Sequence, residues 1–343
     1  MTLRPLLVLV ATVPLAGCYL LQAASGQLEL NARRVPVGTL VAAPGTAPEL
    51  RDKLERAARI RDYATRELGL PDNGSYRSYA DLGRSYVVWN VYATAEFSVA
   101  PRTWCFPVAG CVAYRGYFDE RRARRFARSL RARGDDVDVS GVAAYSTLGH
   151  FADPLLSSML RWDETELAAL MFHELAHQRV YAKGDTMFNE AFASVVEEEG
   201  LRRWLAAAGR SAALAEHAAR VRSARDFAAL LEDSRARLAQ LYRRDLDASA
   251  RRAAKATEFE RLRAAYSAAR PGGGTYDWLL QKPLNNTVLL EVATYRNCVP
   301  ALGARLAAVG GELARFYAEM AVLAAGPAAV RRAACAPPVL AAR

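Results

Sequence analysis

The sequence predicts an α+β fold, with strands and helices mixed in the first half of the chain and helices in the second half. Residues 86–117 are rich in β-branched and aromatic side chains, as strands are. After Trp162, apolar residues recur at helical spacing through most of the chain. Hydrophobic residues make up 52% of the 343 residues, which is enough to bury a sizeable core.

The N-terminus has the features of an export signal. Arg4 precedes an apolar run over residues 5–13 that is too short to span a bilayer comfortably. The run leads into Leu15-Ala16-Gly17-Cys18, which resembles the lipobox of bacterial lipoproteins. That resemblance implies a signal peptide over residues 1–17 and a lipid on Cys18, which anchors a protein stably when several acyl chains are attached. The alternative is an ordinary secretory signal with a chance cysteine.

The lipobox resemblance also implies a location. The protein is expected in the bacterial cell envelope, attached to a membrane by its lipid. Tyr19 stands where an aspartate would retain an enteric lipoprotein in the inner membrane. The outer membrane, with the protein facing the periplasm, is therefore the expected site if the enteric rule holds.

The first half of the mature chain contains a tether and the predicted strands. Residues 18–46 include Gly38, Pro44 and Gly45 and are predicted to be an irregular, lipidated tether. One folded domain is predicted over residues 47–343, with its strands before about residue 160. Its first predicted elements are a helix over 47–68, a turn at 72–74, strands over 86–92 and 111–114, a basic helix over 119–133 and a strand within 137–148.

The second half is predicted to be helical. Asp163 is a candidate N-cap with Glu166 three residues later, which is the pattern of a capping box. Further helices are predicted over residues 212–241, 246–269, 286–295 and 302–324. Glycines 272–274 interrupt this pattern, and no Lys-Ser or Lys-Thr follows them, which argues against a phosphate-binding loop.

The net charge of +10 is distributed over arginine-rich helical stretches, such as residues 121–133 and 251–263. Such faces are usually solvated helix surface. Contact with anionic lipid headgroups is the functional alternative, because the N-terminus points to a membrane. Nucleic acid is not expected as a partner, since no recognisable binding motif accompanies the charge.

The cysteines fit an exported protein. With Cys18 used for lipid, an even number remains, which suggests two disulfides in an oxidising compartment. Cys105 and Cys111 would close a small loop, and Cys298 and Cys335 would then tie the last helices together. The other two connectivities stay open on sequence alone.

The strongest chemical signal is the run His-Glu-Leu-Ala-His from His173 to His177. Residues four apart share one face of a helix, so both imidazoles can reach one metal ion. Zinc lowers the pKa of a bound water toward neutrality, and Glu174 can accept the proton of that water and deliver it to a leaving amine. Apolar neighbours such as Leu170 and Met171 argue against the alternative of a surface helix with two unrelated histidines.

A site with two histidines needs a third protein ligand, which leaves one position open for water. Glu190 is the candidate, because it lies at the start of a second helix and a linker of twelve residues separates it from His177. The neighbouring glutamates at 197, 198 and 199 are alternatives, although such a cluster is more often a solvated face. One zinc ion per chain is the expected cofactor.

These motifs resemble those of a known family. The His173–His177 run, together with Asn189-Glu190-Ala191-Phe192-Ala193, is similar to the gluzincin peptidases, especially the aminopeptidase N-like type, although the linker is shorter here. With the lipobox, the chain resembles a bacterial family of zinc aminopeptidase lipoproteins over most of its mature length. The resemblance implies a zincin-like fold, peptide substrates and a strand at about 141–148 that binds extended peptide by strand pairing, through Ala143, Ala144 and Tyr145.

Two further roles follow from the resemblance. An oxyanion donor is expected from a tyrosine beyond the third ligand, with Tyr295 as first choice and Tyr276 as second. The Gly-x-Met-Glu-Asn motif that binds the free amine of the substrate is missing. Glu96 and Asp153 are possible substitutes.

Three functions are therefore weighed. A periplasmic zinc aminopeptidase is expected first, and a zinc endopeptidase of the cell envelope is its rival with the same chemistry. A non-catalytic, zinc-binding envelope lipoprotein is the rival from another class. Glu174 argues against the last, since a structural zinc site needs no base.

Overall fold

A computed structural model describes residues 13–106, 110–144, 146, 147, 149, 151–270, 273–290 and 298–335, with the backbone alone for residues 13–18, 20, 21 and 110. Its architecture is α+β, as predicted. In chain order, the elements are α1 (Val13–Ala32), β1 (Arg34–Pro36), α2 (Val37–Ala42), α3 (Pro48–Arg66), β2 (Ser78–Ala80), β3 (Val88–Ala95), β4 (Trp104–Phe106), β5 (Gly110–Val112), β6 (Tyr114–Tyr117), α4 (Glu120–Arg131), β7 (Asp135–Val142), β8 (Leu155–Leu156), a 3₁₀ helix (Met159–Arg161), α5 (Glu164–Arg179), α6 (Thr186–Ala207), α7 (Ser211–Leu241), α8 (Ala248–Ala269), α9 (Asp277–Leu280), a second 3₁₀ helix (Asn286–Leu289), α10 (Val299–Ala308), α11 (Leu313–Ala325) and α12 (Ala328–Ala334).

The largest sheet is antiparallel, with the strand order β6-β3-β7. β3 alternates one buried apolar face with residues that face a cleft, and Trp89 lies opposite both Tyr117 and Gly141. Helix α4 covers the apolar face with Ala123 and Ala127. Its arginines lie on the opposite, solvated side, as the sequence predicts.

The main core is built around α5 and α6. Helix α5 starts at the predicted capping box, with Asp163 accepting a hydrogen bond from the Glu166 N–H at 2.8 Å. α5 and α6 pack against each other, and Phe192 of α6 stacks on Phe316 of α11 with ring centroids 5.8 Å apart. Gly200 lets α6 approach Leu68 closely, because a Cβ at position 200 would lie only 2.7 Å from the Leu68 side chain. All three metal-ligand candidates are thus carried by helices that pack in the main core.

Helices α7 and α8 form a second, smaller cluster, in which Phe227 packs against Tyr266. A partly buried ion pair attaches this hairpin to the large sheet, with Lys255 Nζ 2.6 Å from Asp136 Oδ2. Asn286 adds a link by donating a hydrogen bond to the carbonyl of Glu96 at 3.0 Å. The hairpin therefore has a fixed position relative to β7.

The segment predicted as an irregular tether has regular structure. Helix α1 extends to Ala32, and β1 and α2 follow, with Leu30 and Val37 in the main core. The prediction was wrong here because no proline lies between residues 15 and 35. In addition, Gly26 allows α1 to pack closely on Phe118, whose ring would lie 2.2 Å from a Cβ at that position. The predicted domain limits remain predictions.

Two other boundaries differ from expectation. The predicted strand within 137–148 is β7, which starts earlier and ends at Val142, because the Ala143 carbonyl turns to accept a hydrogen bond from Ser158. The predicted helix over 302–324 is divided into α10 and α11 at Gly310 and Gly311, which adopt φ of 68° and 78°. Of the predicted helix over 286–295, only the 3₁₀ turn lies within the described residues.

Both expected disulfides are present, Cys105–Cys111 and Cys298–Cys335. The first joins β4 to β5, and the second ties the start of α10 to the end of α12. Among the described helices, none combines the length and apolar character that crossing a bilayer requires.

Candidate metal centre

The three predicted ligands converge between α5 and α6. His173 Nε2 lies 3.2 Å from Glu190 Oε2, and His177 Nε2 lies 3.7 Å from Glu190 Oε1. One donor atom from each of the three residues lies within 4.8 Å of the others. Two imidazoles and one carboxylate suit zinc and leave one position open for water. The residues therefore fit the expected metal.

The connection between α5 and α6 positions Glu190. Asn189, which is 1% exposed, accepts a hydrogen bond from the Ala182 N–H at 2.7 Å and donates one to the Ala182 carbonyl at 2.9 Å. Asp185 caps α6 through the Phe188 N–H and forms an ion pair with Arg331 at 2.7 Å. The asparagine of the second motif thus has a structural role, because it holds the loop that places the adjacent glutamate.

Glu197 is a member of the site that the sequence left among the alternative ligands. Its Oε2 lies 3.0 Å from Nδ1 of His173, on the far side of the ring from Glu190. A carboxylate there orients a metal-binding imidazole and fixes its tautomer. The sequence carried a signal for this role, because Glu197 follows Glu190 by two helical turns and so lies on the same face. Its neighbours Glu198 and Glu199 instead pair with arginines, Arg225 at 3.0 Å and Arg202 at 2.7 Å.

The two histidines have opposite electrostatic surroundings. Burial favours neutral His173, but the hydrogen bonds that the protonated ring donates to Glu190 and Glu197 outweigh burial and raise the pKa of His173 to about 10. Burial and the neighbouring His173 charge lower the pKa of His177 to about 4. The carboxylates around His173 favour a positive charge at this position. A divalent cation bound there would take the place of the proton on His173.

Glu174 directly follows the candidate ligand His173, and its carboxyl group is a weaker acid than an exposed glutamate. Burial raises the pKa of Glu174, and the His173 charge opposes this shift while the carboxylates of Glu190 and Asp153 add to it. A hydrogen bond with Ser146 favours the ionised form. A carboxylate with a raised pKa is suited to accept and return a proton.

Neither candidate for binding a substrate amine is free to do so. Asp153 is 3% exposed and accepts hydrogen bonds from Thr147 Oγ1 at 2.8 Å and from Ser146 at 3.3 Å. Glu96 pairs with Arg252 at 3.0 Å and does not line the cleft at the metal centre. Asp153 instead fixes the loop that brings Ser146 to Glu174.

A cleft of about 980 Å³ opens over the ligands. One wall of the cleft is aromatic and apolar, and the other wall comes from α7. The floor between them carries the polar groups of α5 and α6. The residues that line the cleft include Tyr19, Phe106, Tyr114, Ala144, Ser146, Glu166, His173, Glu174, His177, Glu190, Glu197, His217, Arg220 and Tyr276.

Of the remaining predicted site residues, some line the cleft and others do not. Ala144 lines the cleft, whereas the Ala143 carbonyl is engaged by Ser158. Tyr276 also lines it, with its ring stacked 4.2 Å from that of Phe227. Tyr145 and Tyr295 lie outside the described residues, as does the side chain of Cys18.

Tyr114 at the start of β6 is a cleft residue that sequence reasoning missed. Tyr114 lines the same cleft as Glu174 and Glu190. Burial raises the pKa of its phenol, and the carboxylates of Glu190 and Glu174 raise it further. It is 41% exposed because it faces the open cleft. Nothing local marks Tyr114 in the sequence, since it reaches the site only through the pairing of β6 with β3.

Comparisons with known proteins give a family but no individual relative. A family model described as "Putative aminopeptidase" matches residues 18–335. No curated protein and no solved structure matches the chain. The match starts at Cys18 and spans nearly all of the remaining sequence, including both helices of the metal centre. The chain belongs to this putative aminopeptidase family.

Proposed function

We propose that this protein is a zinc-dependent aminopeptidase that hydrolyses peptides in the periplasm. The convergence of His173, His177 and Glu190 beside Glu174 carries the proposal. It combines an open three-ligand metal site with an adjacent general base, and the family match supports a peptidase. Zinc is the metal that this ligand combination fits, with one ion per chain.

In the proposed mechanism, the residues of the chain divide the reaction between them. When bound, zinc supplies a Lewis acid that activates water and polarises the scissile carbonyl. Glu174 accepts a proton from the attacking water and delivers it to the departing amine. Ser146 holds the Glu174 carboxylate by a hydrogen bond. Glu197 keeps the His173 ring oriented, so that Nε2 faces the ligand position.

The oxyanion that forms during attack needs a hydrogen-bond donor. Tyr295 was the choice from the family resemblance and stays a prediction. Tyr114 is a second candidate, because its phenol lines the cleft beside both Glu174 and Glu190. A raised pKa keeps this phenol protonated, and therefore able to donate, throughout the neutral range.

A zinc endopeptidase is the second candidate function. It is favoured by one observation, namely that both proposed amine-binding carboxylates are already engaged within the protein. Amino-end specificity therefore depends on the family description, whereas the chemistry at the metal is common to both functions.

The deciding experiment uses the mature full-length protein in detergent, beside its Glu174→Gln variant. Both are offered peptides with free and with acetylated amino ends, and bound zinc is quantified. Zinc near one per chain, cleavage of free peptides only and loss of cleavage in the variant are expected. Cleavage of acetylated peptides would establish the endopeptidase. Bound zinc without any cleavage would favour the non-catalytic lipoprotein, and absence of zinc would refute the proposal.

We also propose attachment to the outer membrane through a lipid on Cys18. The next residue supports a fixed anchor, since the Tyr19 ring stacks on Phe106 at 4.9 Å and lies under the Arg115 guanidinium at 4.2 Å. Arginines of α4 are exposed beside this aromatic cluster and can contact anionic headgroups. Labelled palmitate should be incorporated by the native protein in cells and not by Cys18→Ala. Equal labelling of both would exclude this anchor.

A further inference from the structure

The charged side chains that line the cleft are mostly acidic. Its described lining includes the glutamates 166, 174, 190 and 197, and Arg220 is the single lysine or arginine among these lining residues. A peptide backbone by itself needs no cation in the cleft. A single arginine among these acidic side chains therefore requires an explanation.

Arg220 lies on α7, one helical turn beyond His217, and both side chains face the cleft. Two other arginines of this helix have ion-pair partners, with Arg225 3.0 Å from Glu198 and Arg237 3.1 Å from Asp233. Arg220 forms no ion pair and no hydrogen bond with any residue in the part of the chain that the structure describes. Its guanidinium can therefore accept a ligand without first breaking an internal ion pair.

His217 provides an independent indication at the same place. Its Nε2 is buried and has no hydrogen-bond partner within the described residues. A buried polar atom without a partner is costly, and such atoms are rare in native structures. Burial also lowers the pKa of His217, so the ring is neutral at pH 7 and can donate one N–H to a ligand. A group that accepts hydrogen bonds would satisfy both residues at once.

We infer that Arg220 and His217 form a subsite that binds a carboxylate of the peptide substrate, on the wall opposite the sheet. This inference rests on the proposed peptidase function and names its substrate class. Arginine binds carboxylates through two parallel N–H groups, which gives orientation as well as affinity. The carboxylate is the C-terminus of a short peptide or the side chain of an acidic residue.

The test compares three peptides with a free amino end and the same neutral core, using the zinc-loaded, mature full-length protein. One ends in a free carboxylate, one in an amide, and one is an amide that carries a single glutamate. A tenfold or greater reduction in KM is expected for a peptide with the correct carboxylate, about the effect of one charge-assisted hydrogen bond. Preference for the free acid identifies the C-terminus as the ligand, and preference for the glutamate amide identifies a side chain.

Matched variants separate the subsite from general charge effects. Arg220→Gln should raise KM for the preferred peptide to that of the neutral amide, with kcat little changed. Arg222→Gln removes an exposed arginine of the same helix that does not line the cleft, and it should keep the preference. Equal KM values for all three peptides, or a preference that survives Arg220→Gln, would overturn the inference while leaving the peptidase function intact.

A binding measurement keeps the inference testable without catalysis. Calorimetry on the zinc-free protein should show tighter binding of the carboxylate peptide than of the amide, and Arg220→Gln should abolish the difference. If no peptide is cleaved, the proposed function fails, and this measurement still decides whether the subsite exists. Equal binding of both peptides would reject the subsite.

Discussion

His173 lies between two carboxylates, with Nε2 3.2 Å from Glu190 and Nδ1 3.0 Å from Glu197. The first contact belongs to the proposed ligand and the second to a residue that holds the ring in place. Because a partner on the outer nitrogen fixes the tautomer and raises the basicity of the ligand, its loss typically weakens metal binding by 10- to 100-fold.

We therefore expect Glu197→Gln to reduce zinc affinity by about 10- to 100-fold without changing the fold. Competition with a metal chelator would measure this, and circular dichroism would check the fold. Glu198→Gln is the matched control, because Glu198 is adjacent on α6 but pairs with Arg225. Equal affinities of the two variants would show that Glu197 does not orient the ligand.

Tyr114→Phe is expected to reduce kcat by about 10²-fold or more, as removal of a single oxyanion donor does, while zinc content and KM change little. Tyr181→Phe is the control, because Tyr181 also lies near Glu190 but does not line the cleft. Affinity for a phosphinic peptide, which mimics the tetrahedral intermediate, should fall in parallel with kcat. Unchanged kcat and unchanged inhibitor affinity would return the role to Tyr295.

Alkaline stability should depend on Tyr117, which packs under α4 and is 7% exposed. Burial raises the pKa of Tyr117 to about 12, from 10 in the unfolded chain, against the opposing charge of Arg115. The folded state therefore keeps this proton longer than the unfolded state does. Its contribution is complete below pH 10 and is lost as pH rises from 10 to 12, by up to about 2–3 kcal/mol. Urea unfolding should show a steeper loss over this range in the native protein than in Tyr117→Phe, and parallel curves would contradict the assignment.

Truncation at residue 24 should destabilise the protein, contrary to what an irregular tether would allow. Gln22 accepts a hydrogen bond from the Phe118 N–H and donates one to the Gly116 carbonyl, each at 3.3 Å. Removing it leaves two backbone groups without partners, at a cost of about 1–3 kcal/mol. Urea unfolding of chains that start at residues 19 and 24 would measure the difference. Gln22→Ala in the longer chain should reproduce much of it, and equal stabilities would show that this contact is dispensable.

The convergence of the three candidate metal ligands could be predicted from the sequence because their geometry is local. Four-residue spacing places His173 and His177 on one face of α5, and a short linker brings Glu190 beside them. The capping box at Asp163 was predictable for the same reason, since a cap involves neighbours within one turn. The fold class followed from composition and periodicity over long segments.

The parts that could not be predicted depend on contacts between distant segments. Tyr114 reaches the metal centre only because β6 pairs with β3, and Arg220 faces the cleft only because the α7–α8 hairpin is attached to β7 through Lys255. The role of α1 was missed because its fit on Phe118 depends on a residue far along the chain. Local patterns carry no information on such pairings.

The position of Tyr19 has a consequence for access to the cleft. This residue is part of the cleft wall, and it directly follows the proposed anchor at Cys18. One residue spans at most about 3.6 Å of extended chain. A protein lipidated on Cys18 would therefore have almost no linker between the bilayer and its cleft. Short, unfolded peptides that diffuse along the bilayer surface would then reach the cleft easily, whereas the bilayer would sterically block the access of large folded proteins.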